Sequence, residues 1–141
     1  MNFTSGMKTS IHSEAETPQE FFEAWDSVYH FTIDVCANEK NHKCERYYTE
    51  EQDGLAQDWS GETVWCNPPY GREIGKWLKK CYEEAAKPNT TVVALLPART
   101  DTKWFHDYVL HRAVITFIKG RLKFVGWENN APFPSMVCVW Y

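Results

Sequence analysis

The sequence lacks the features of membrane proteins and of exported, disulfide-bonded proteins. No apolar run approaches the roughly 20 residues that a membrane-spanning helix needs, and the polar start has no apolar signal-peptide centre. The five cysteines are odd in number and show no tandem C-x-x-C spacing, which favours reduced thiols over a disulfide framework. We therefore expect a cytoplasmic protein that has no membrane partner.

A metal site also lacks its full set of ligands. Cys36, His42 and Cys44 lie close together in the sequence, but no second ligand pair follows at the spacing of a structural zinc site. A small buried thiol beside a loop histidine is the favoured alternative. We expect no bound metal.

The composition is that of one folded domain. The 141 residues are 43% hydrophobic and 16% aromatic, which is ample for a single buried core and excludes a disordered or fibrous protein. No repeat or linker divides the chain. Because the first residues are polar and without periodicity, we expect a flexible segment at 1–13 and one domain at 14–141.

Charge is distributed unevenly along the chain. The net charge of −4 argues, taken alone, against nucleic acid as a partner. Residues 1–62, however, hold 13 acidic and four basic side chains, whereas residues 63–141 hold six acidic and 11 basic ones. A positive face for a polyanion and an ordinary solvated surface are therefore about equally supported.

Hydrophobic periodicity predicts helices that alternate with strands. Thr17, Pro18 and Glu20 have the pattern of a helix start in which Thr17 is the N-cap of a capping box. Further helices are predicted from Ile74 towards Lys87 and around 104–109. Strands are predicted at 30–37, 46–49, 63–66, 91–96, 113–118 and 136–141. This alternation predicts a doubly wound, mostly parallel α/β sheet, whose ligands bind beyond the carboxyl ends of the strands.

The tetrapeptide Asn67, Pro68, Pro69 and Tyr70 directly follows a predicted strand and precedes a predicted helix. The prolines leave neighbouring carbonyl groups without amide partners, so the Asn67 side-chain oxygen and a main-chain oxygen can accept hydrogen bonds from an aromatic amine. Two such bonds draw the amine towards tetrahedral geometry and expose its lone pair to a sulfonium methyl, while Tyr70 stacks on the base. A proline turn with a core tyrosine is the alternative. The position at a strand end favours a catalytic loop.

This tetrapeptide resembles motif IV of the amino-methyltransferases, and its surroundings resemble the phage-type DNA N-6-adenine methyltransferase (Dam) family. The resemblance runs from Thr17 to the C-terminus through the blocks TPQEFFEAW, FTIDVCA, CERYYTEEQDGLAQDW, NPPYG, LLPARTDTKWFH, GRLKF and APFPS. It implies a compact, single-domain Rossmann-like methyltransferase fold at 14–141 and S-adenosylmethionine as the cofactor. It further implies methyl transfer to the exocyclic N6 amine of an adenine flipped out of DNA.

The resemblance also implies a cofactor site at the end of the first strand. Asp34, Cys36 and Ala37 correspond to the cofactor motif, where larger relatives carry a glycine pair that this sequence lacks. A short polar loop must then allow the close approach of the backbone. Thr17 and Phe21 correspond to the motif that helps to hold the methionine end of the cofactor.

Three acidic residues complete the expected cofactor site. Glu50 or Glu51 is placed to bind both ribose hydroxyls, as carboxylates do at this point of dinucleotide-binding sheets. Asp58 resembles the acidic position that meets the cofactor's adenine. Solvated glutamates at a strand exit, and a loop aspartate before a core tryptophan, remain the simpler alternatives.

Four basic residues are the expected DNA contacts. Arg99 follows the strand at 91–96 and is placed to hold a phosphate of the flipped nucleotide, while Arg72 begins the segment after the tetrapeptide. Arg121 and Lys123 contribute to the positive face, and residues 132–134 would wall the base pocket. Since 141 residues leave no room for a target-recognition domain, specificity comes from loops, from a homodimer, or is low.

Two other classes of function fit the same residues. The missing glycine pair favours a catalytically inactive DNA- or cofactor-binding relative, although an intact Asn67 and Tyr70 favour an enzyme. Related loops also serve methylation of cytosine in DNA and of glutamine in protein, and the basic half at 63–141 favours nucleic acid. The preference for adenine rests on the family resemblance.

Overall fold

A computed structural model describes residues 15–141, so the segment predicted to be flexible, 1–13, lies outside the described part of the chain. The elements are α1 (Gln19–Tyr29), β1 (Ile33–Asp34), a 3-10 turn (Gly54–Ala56), β2 (Thr63–Cys66), α2 (Ile74–Ala85), β3 (Thr91–Pro97), a π-helical turn (Phe105–Val109), β4 (Val114–Phe117) and β5 (Ser135–Trp140). The strands form one sheet in the order β1-β2-β3-β5-β4.

The sheet is parallel over its first three strands and antiparallel around β5. Val64 of β2 lies opposite Ile33 of β1 and Val92 of β3 in parallel register. β5 runs antiparallel to both β3 and β4. The segment 118–134 between β4 and β5 contains no helix, and a parallel crossover usually needs one, so β5 departs from the predicted βαβ alternation. The prediction of a single α/β domain is confirmed, whereas the sheet, predicted to be mostly parallel, has two parallel and two antiparallel pairings.

The two long helices cover opposite faces of the sheet. Trp65 and Cys66 are neighbours in β2, so their side chains point to opposite faces. The ring of Phe22 in α1 packs edge-on against Trp65 at 5.2 Å, whereas Cys81 in α2 contacts Cys66. β3 is buried from Val92 to Pro97, as a strand covered on both faces should be.

Several predictions for the first 50 residues are wrong. Thr17 is not the N-cap: α1 begins at Gln19, and Pro18 precedes it in an extended conformation without a side-chain cap. The strand predicted at 30–37 shrinks to Ile33–Asp34, because His30 takes a left-handed conformation and closes α1. The strand predicted at 46–49 is a single bridge between Asp34 and Tyr47.

The later elements follow the predictions more closely. β2, α2 and β3 lie where the periodicity placed them, and β4 and β5 differ from the predicted ranges only at their ends. The third predicted helix is instead a π-helical turn of five residues, in which the Leu110 amide donates to the Phe105 carbonyl at 2.8 Å. Its five-residue hydrogen-bond spacing does not suit the regular helix that the apolar pattern predicted.

Candidate active site

The tetrapeptide leaves the sheet at the carboxyl ends of the parallel strands, as predicted. β2 ends at Cys66 because proline cannot donate a hydrogen bond to the neighbouring strand. Pro68, Pro69 and Tyr70 are all buried, so the loop belongs to the core of the domain. A loop built into the core holds its side chains in fixed positions, which a site needs for precise geometry.

Asn67 is held by its amide nitrogen. Its Nδ2 donates to the main-chain oxygen of Ala15 at 2.6 Å and to the Thr17 hydroxyl at 3.1 Å. Its Oδ1 is buried and has no hydrogen-bond partner among residues 15–141. A buried acceptor without a donor is costly, which makes Oδ1 a candidate contact for a ligand that brings an N–H group.

Tyr70 lines a cleft of about 590 Å³, which we call the aromatic cleft. The residues that line it are Tyr70, Gly71, Arg99, Trp127, Asn129, Asn130, Pro132 and Phe133. Pro132 and Phe133, which were expected to wall the base pocket, thus meet Tyr70 in one cleft. Its volume is in the range of small-molecule binding sites.

The Tyr70 ring is fixed on three sides. Its hydroxyl donates to the Leu95 carbonyl at 3.0 Å, and its ring packs edge-on against Phe124 and Phe133. Only 4% of Tyr70 is exposed, and burial raises the pKa of the phenol well above its ordinary value. Tyr70 is therefore a neutral, immobile aromatic wall and not a proton acceptor.

Arg99 separates the aromatic cleft from a second cleft of about 530 Å³, which we call the basic cleft. The charged residues that line the basic cleft are Arg72, Lys76, Lys79, Arg99, Lys103 and Asp107. Gly71 and Arg99 line both clefts. One ligand could therefore place a flat ring in the aromatic cleft and an anionic group in the basic cleft.

A family model of DNA N-6-adenine-methyltransferase (Dam) matches residues 4–136. The chain belongs to the Dam family. It is 35% identical over 101 residues to a DNA N-6-adenine-methyltransferase of Haemophilus phage HP1, an alignment that covers 71% of this chain and 58% of the relative. It is 33% identical over 108 residues to a protein of the same name from Escherichia phage T1, covering 75% of this chain and 44% of the relative. The chain therefore spans about half the length of these relatives.

Membership of the Dam family implies a methyl donor, and three predicted cofactor residues meet the predicted catalytic Asn67 at one small cavity. Thr17, Asp34, Cys36 and Asn67 line it, together with Ala15, Glu16, Asn41, Lys43 and Trp65. Its volume is about 20 Å³, which is close to that of a single water molecule. The carboxyl ends of β1 and β2 bring these residues together because the two strands are parallel neighbours.

Asp34 organises the turn that follows β1. Its carboxylate accepts hydrogen bonds from the amides of Cys36 at 3.2 Å and Lys43 at 2.9 Å. Burial raises the pKa of this carboxyl group to about 6, against the lowering effect of the two amides. The turn holds an anionic group beside Asn67 at neutral pH.

Phe21 and Ala37, two of the five predicted cofactor residues that do not line this cavity, have other contacts. Phe21 is a partly buried residue of α1 whose ring lies 6.5 Å from that of Trp25. Ala37 is buried, and its amide donates to the Tyr48 carbonyl at 3.0 Å. Neither residue lines the cavity around Asn67, so the structure provides no contact for either one there.

The two glutamates after the Tyr47 bridge differ in their surroundings. Glu50 is near enough to Cys36 to add to the rise of that thiol's pKa, which is caused mainly by burial. Glu51 lines a polar cleft of about 550 Å³ formed largely by residues 45–52. Both carboxylates are exposed, but Glu50 is the one beside the turn that follows β1.

Asp58, the third acidic residue expected at the cofactor site, does not line the small cavity around Asn67. Asp58 lies near the amino ends of β2 and β3, where it accepts hydrogen bonds from the Ser60 amide at 2.9 Å and the Lys87 ammonium at 3.0 Å. α2 runs back across the sheet, so Lys87 at its far end marks the edge opposite the tetrapeptide. Asp58 therefore orders the turn before β2.

Sequence reasoning missed the close approach of Gly54 to the turn after β1. A Cβ atom at Gly54 would lie 2.2 Å from the Val35 carbonyl oxygen, so only glycine fits there. The dipeptide Asp53-Gly54, a common turn signal, could have indicated it.

The predicted DNA contacts divide into two groups. Arg72 and Arg99 line the basic cleft, together with Lys76, Lys79 and Lys103. Arg121 and Lys123 are exposed on the 118–134 segment and line neither the aromatic nor the basic cleft. The structure thus brings the first pair, but not the second, next to Tyr70.

The residues considered for a metal serve other contacts. His42 Nδ1 lies 2.7 Å from the Cys44 carbonyl oxygen, and the His42 ring stacks on Tyr47 at 4.0 Å. Within residues 15–141 no three His, Cys, Asp or Glu side chains are grouped as metal ligands. None of the helices in that range is long and apolar enough to span a bilayer.

Proposed function

We propose that this chain transfers a methyl group from S-adenosylmethionine directly to the exocyclic N6 amine of an adenine flipped out of DNA. The observation that carries the proposal is the buried Asn67 Oδ1, which has no partner among residues 15–141. It lies in the same rigid loop as Tyr70, whose ring lines the aromatic cleft. An aromatic amine would supply the missing donor.

The proposed Rossmann-like arrangement explains why these groups lie together. Ligands of doubly wound sheets bind beyond the carboxyl ends of the strands. β1, β2 and β3 all end at the edge that carries Asp34, Asn67 and Arg99, and the two long helices cover opposite faces. The topology therefore supports a methyltransferase domain in spite of the missing glycine pair.

The groups around the small cavity fit a cationic methyl donor. S-adenosylmethionine, when bound, supplies a methyl group that its sulfonium has already activated. Asp34 would place a buried carboxylate near its positive charges, and Glu50 or Glu51 would bind the ribose hydroxyls. The cavity of about 20 Å³ is smaller than the methionine end, so part of its lining would have to move to admit the cofactor.

Asn67 has the central chemical role. Its Oδ1 and a main-chain oxygen between Pro68 and Pro69 would each accept one hydrogen of the target amine. The nitrogen then moves towards tetrahedral geometry, and its lone pair becomes available for in-line attack on the methyl carbon. The carbon–sulfur bond of the donor would break as the carbon–nitrogen bond forms, S-adenosylhomocysteine would leave, and the methylated nitrogen would release one proton to solvent. The protein thus contributes position, orientation and exclusion of water.

The two clefts would divide the flipped nucleotide between them. Tyr70 and Phe133 offer aromatic contacts to the base, and base–aromatic stacking contributes roughly 1 to 3 kcal/mol. Arg99 would contact the phosphate from the boundary, and Arg72 would extend the contact along the strand. Arg121 and Lys123 would meet more distant phosphates from the 118–134 segment.

Mass spectrometry of methylated DNA tests this proposal. Purified protein is incubated with unmethylated plasmid and S-adenosylmethionine, and the DNA is then hydrolysed to nucleosides. We expect N6-methyladenine with the wild type and very little with Asn67→Ala. N4-methylcytosine would contradict the choice of base. Bound S-adenosylmethionine without any methylated nucleoside would instead show a catalytically inactive relative.

A further inference from the structure

The orientation of the Asn67 side chain decides what this site can bind. A carboxamide has an acceptor end and a donor end of nearly the same shape, and its terminal torsion has no strong preference of its own. With Oδ1 towards the ligand, the site accepts hydrogen bonds from an amine. With Nδ2 towards the ligand, it would repel one. The groups that surround Asn67 must therefore determine which end of the carboxamide faces the ligand.

We propose that the Ala15 carbonyl selects the accepting end and that the Thr17 hydroxyl holds the amide in this orientation, so that Thr17 is a positioning residue for Asn67. The Ala15 carbonyl lies 2.6 Å from Nδ2, and a carbonyl oxygen can only accept a hydrogen bond. An amide turned end for end would bring Oδ1 against this oxygen. The Thr17 hydroxyl, 3.1 Å from Nδ2, engages the amide from a second direction.

The segment that carries these two groups is firmly held. Ala15 is buried and only 1% of Thr17 is exposed. The Glu16 carbonyl between them accepts a hydrogen bond from the Val125 amide at 3.0 Å, and the Glu16 carboxylate lies 3.7 Å from the Lys43 ammonium. Residues 15–17 are thus fixed to both the 118–134 segment and the turn after β1.

This inference rests on the proposed function for its catalytic meaning, and it gives Thr17 a role other than contact with the cofactor. The Thr17 hydroxyl is free of any capping duty on α1, because Pro18 precedes that helix without a side-chain cap. Its geometry is accounted for by the bond to Asn67, which lies 50 residues away in the chain.

Two variants of Thr17 separate positioning from other roles. Thr17→Val keeps the shape but removes the acceptor, whereas Thr17→Ser keeps the hydroxyl. For Thr17→Val we expect kcat to fall about tenfold, as the loss of one supporting hydrogen bond allows, while KM for DNA and Kd for S-adenosylmethionine stay within about threefold. Thr17→Ser should restore most of kcat. A weaker Kd at unchanged kcat would overturn the proposal in favour of a cofactor contact.

Nuclear magnetic resonance tests the same idea without any reaction. The side-chain NH₂ signals of Asn67 are assigned by their loss in Asn67→Ala, and their hydrogen exchange is measured in the wild type and both Thr17 variants. We expect exchange about tenfold faster in Thr17→Val and near the wild-type rate in Thr17→Ser. Equal rates in all three proteins would overturn the proposal. Slower exchange in the wild type together with no methylated DNA would instead contradict only the proposed function.

Discussion

Arg99 donates a hydrogen bond from Nη1 to the main-chain oxygen of Tyr70 at 3.2 Å. The same guanidinium lies 5.8 Å from the centre of the Phe133 ring. One side chain thus connects the end of β3 to the tetrapeptide after β2 and to the far wall of the aromatic cleft. Lysine could replace its charge but not its planar, multiple contacts.

Charge and geometry at Arg99 can therefore be tested separately. Arg99→Ala should lower the log–log salt slope of DNA binding by about 0.9, the effect of one lost phosphate contact, whereas Arg99→Lys should keep the slope. Both variants should lower kcat, because both lose the bond to the Tyr70 carbonyl. Fluorescence anisotropy at several salt concentrations and single-turnover methylation measure the two effects. A wild-type slope in Arg99→Ala would show that Arg99 contacts no phosphate.

Asn67→Ala should abolish most of the activity without unfolding the protein. Removal of one key transition-state hydrogen bond typically costs at least about a hundredfold in kcat. The variant also removes the buried Oδ1 that has no partner among residues 15–141, which offsets part of the loss of the Nδ2 contacts. Methyl transfer and thermal unfolding should be measured on the same sample. A folded variant with activity within a few-fold of wild type contradicts the catalytic role.

The sequence predicts those elements of the fold that carry a regular local pattern of apolar residues or prolines. β3 is an unbroken aliphatic run, and the prolines at 68 and 69 end β2 at a fixed residue. The region before β2 is made instead by long-range contacts. Thr17 has the pattern of an N-cap, but its hydroxyl is taken by Asn67, a partner that no local pattern reveals.

The candidate site shows the same division. The tetrapeptide and the exit of β3 were both predicted to lie at the carboxyl edge, so the meeting of Tyr70 with Arg99 follows from the topology. Asp58 was expected at the cofactor site only because its segment resembles a family motif, and its contacts with Ser60 and Lys87 are not signalled by that resemblance. Gly54 and Val35 belong to segments that are far apart in the sequence, so no local pattern in either segment predicts their contact.

A comparison of two double variants should locate the DNA. Arg72→Ala with Lys76→Ala removes two cations of the basic cleft, and Arg121→Ala with Lys123→Ala removes two from the 118–134 segment. If each residue contacts one phosphate, either pair should lower the log–log salt slope by up to about 1.8. We expect the larger decrease for the basic cleft, because it adjoins the aromatic cleft. Binding of S-adenosylmethionine, which neither pair should change, is the control.

The two neighbouring glutamates provide a matched pair for the ribose contact. Glu50 lies near Cys36 and the turn after β1, whereas Glu51 lines the neighbouring polar cleft. Glu50→Gln should therefore weaken S-adenosylmethionine binding about tenfold, the usual size for a hydrogen bond to a charged group. Glu51→Gln should change it much less. Calorimetry decides between them, and the reverse order would assign the ribose to Glu51.

Asp34 should make the stability of the fold depend on pH. Burial is the main cause that raises the pKa of its carboxyl group from 3.8 to about 6, so the native state favours the protonated form more than the unfolded state does. The resulting stabilisation is fully present below pH 3.8 and is lost as the pH rises through about 6. The shift corresponds to a loss of about 3 kcal/mol over the whole range.

Urea unfolding of the wild type and Asp34→Asn measures this loss, because asparagine cannot titrate while every other group is shared. We expect the free energy of unfolding of the wild type, relative to that of Asp34→Asn, to fall by about 2 kcal/mol between about pH 4 and about pH 7. The decrease should be centred between the unfolded and native pKa values of Asp34. A difference that rises over this interval would show that the amides of Cys36 and Lys43 outweigh burial, and that Asp34 is ionised well below pH 6.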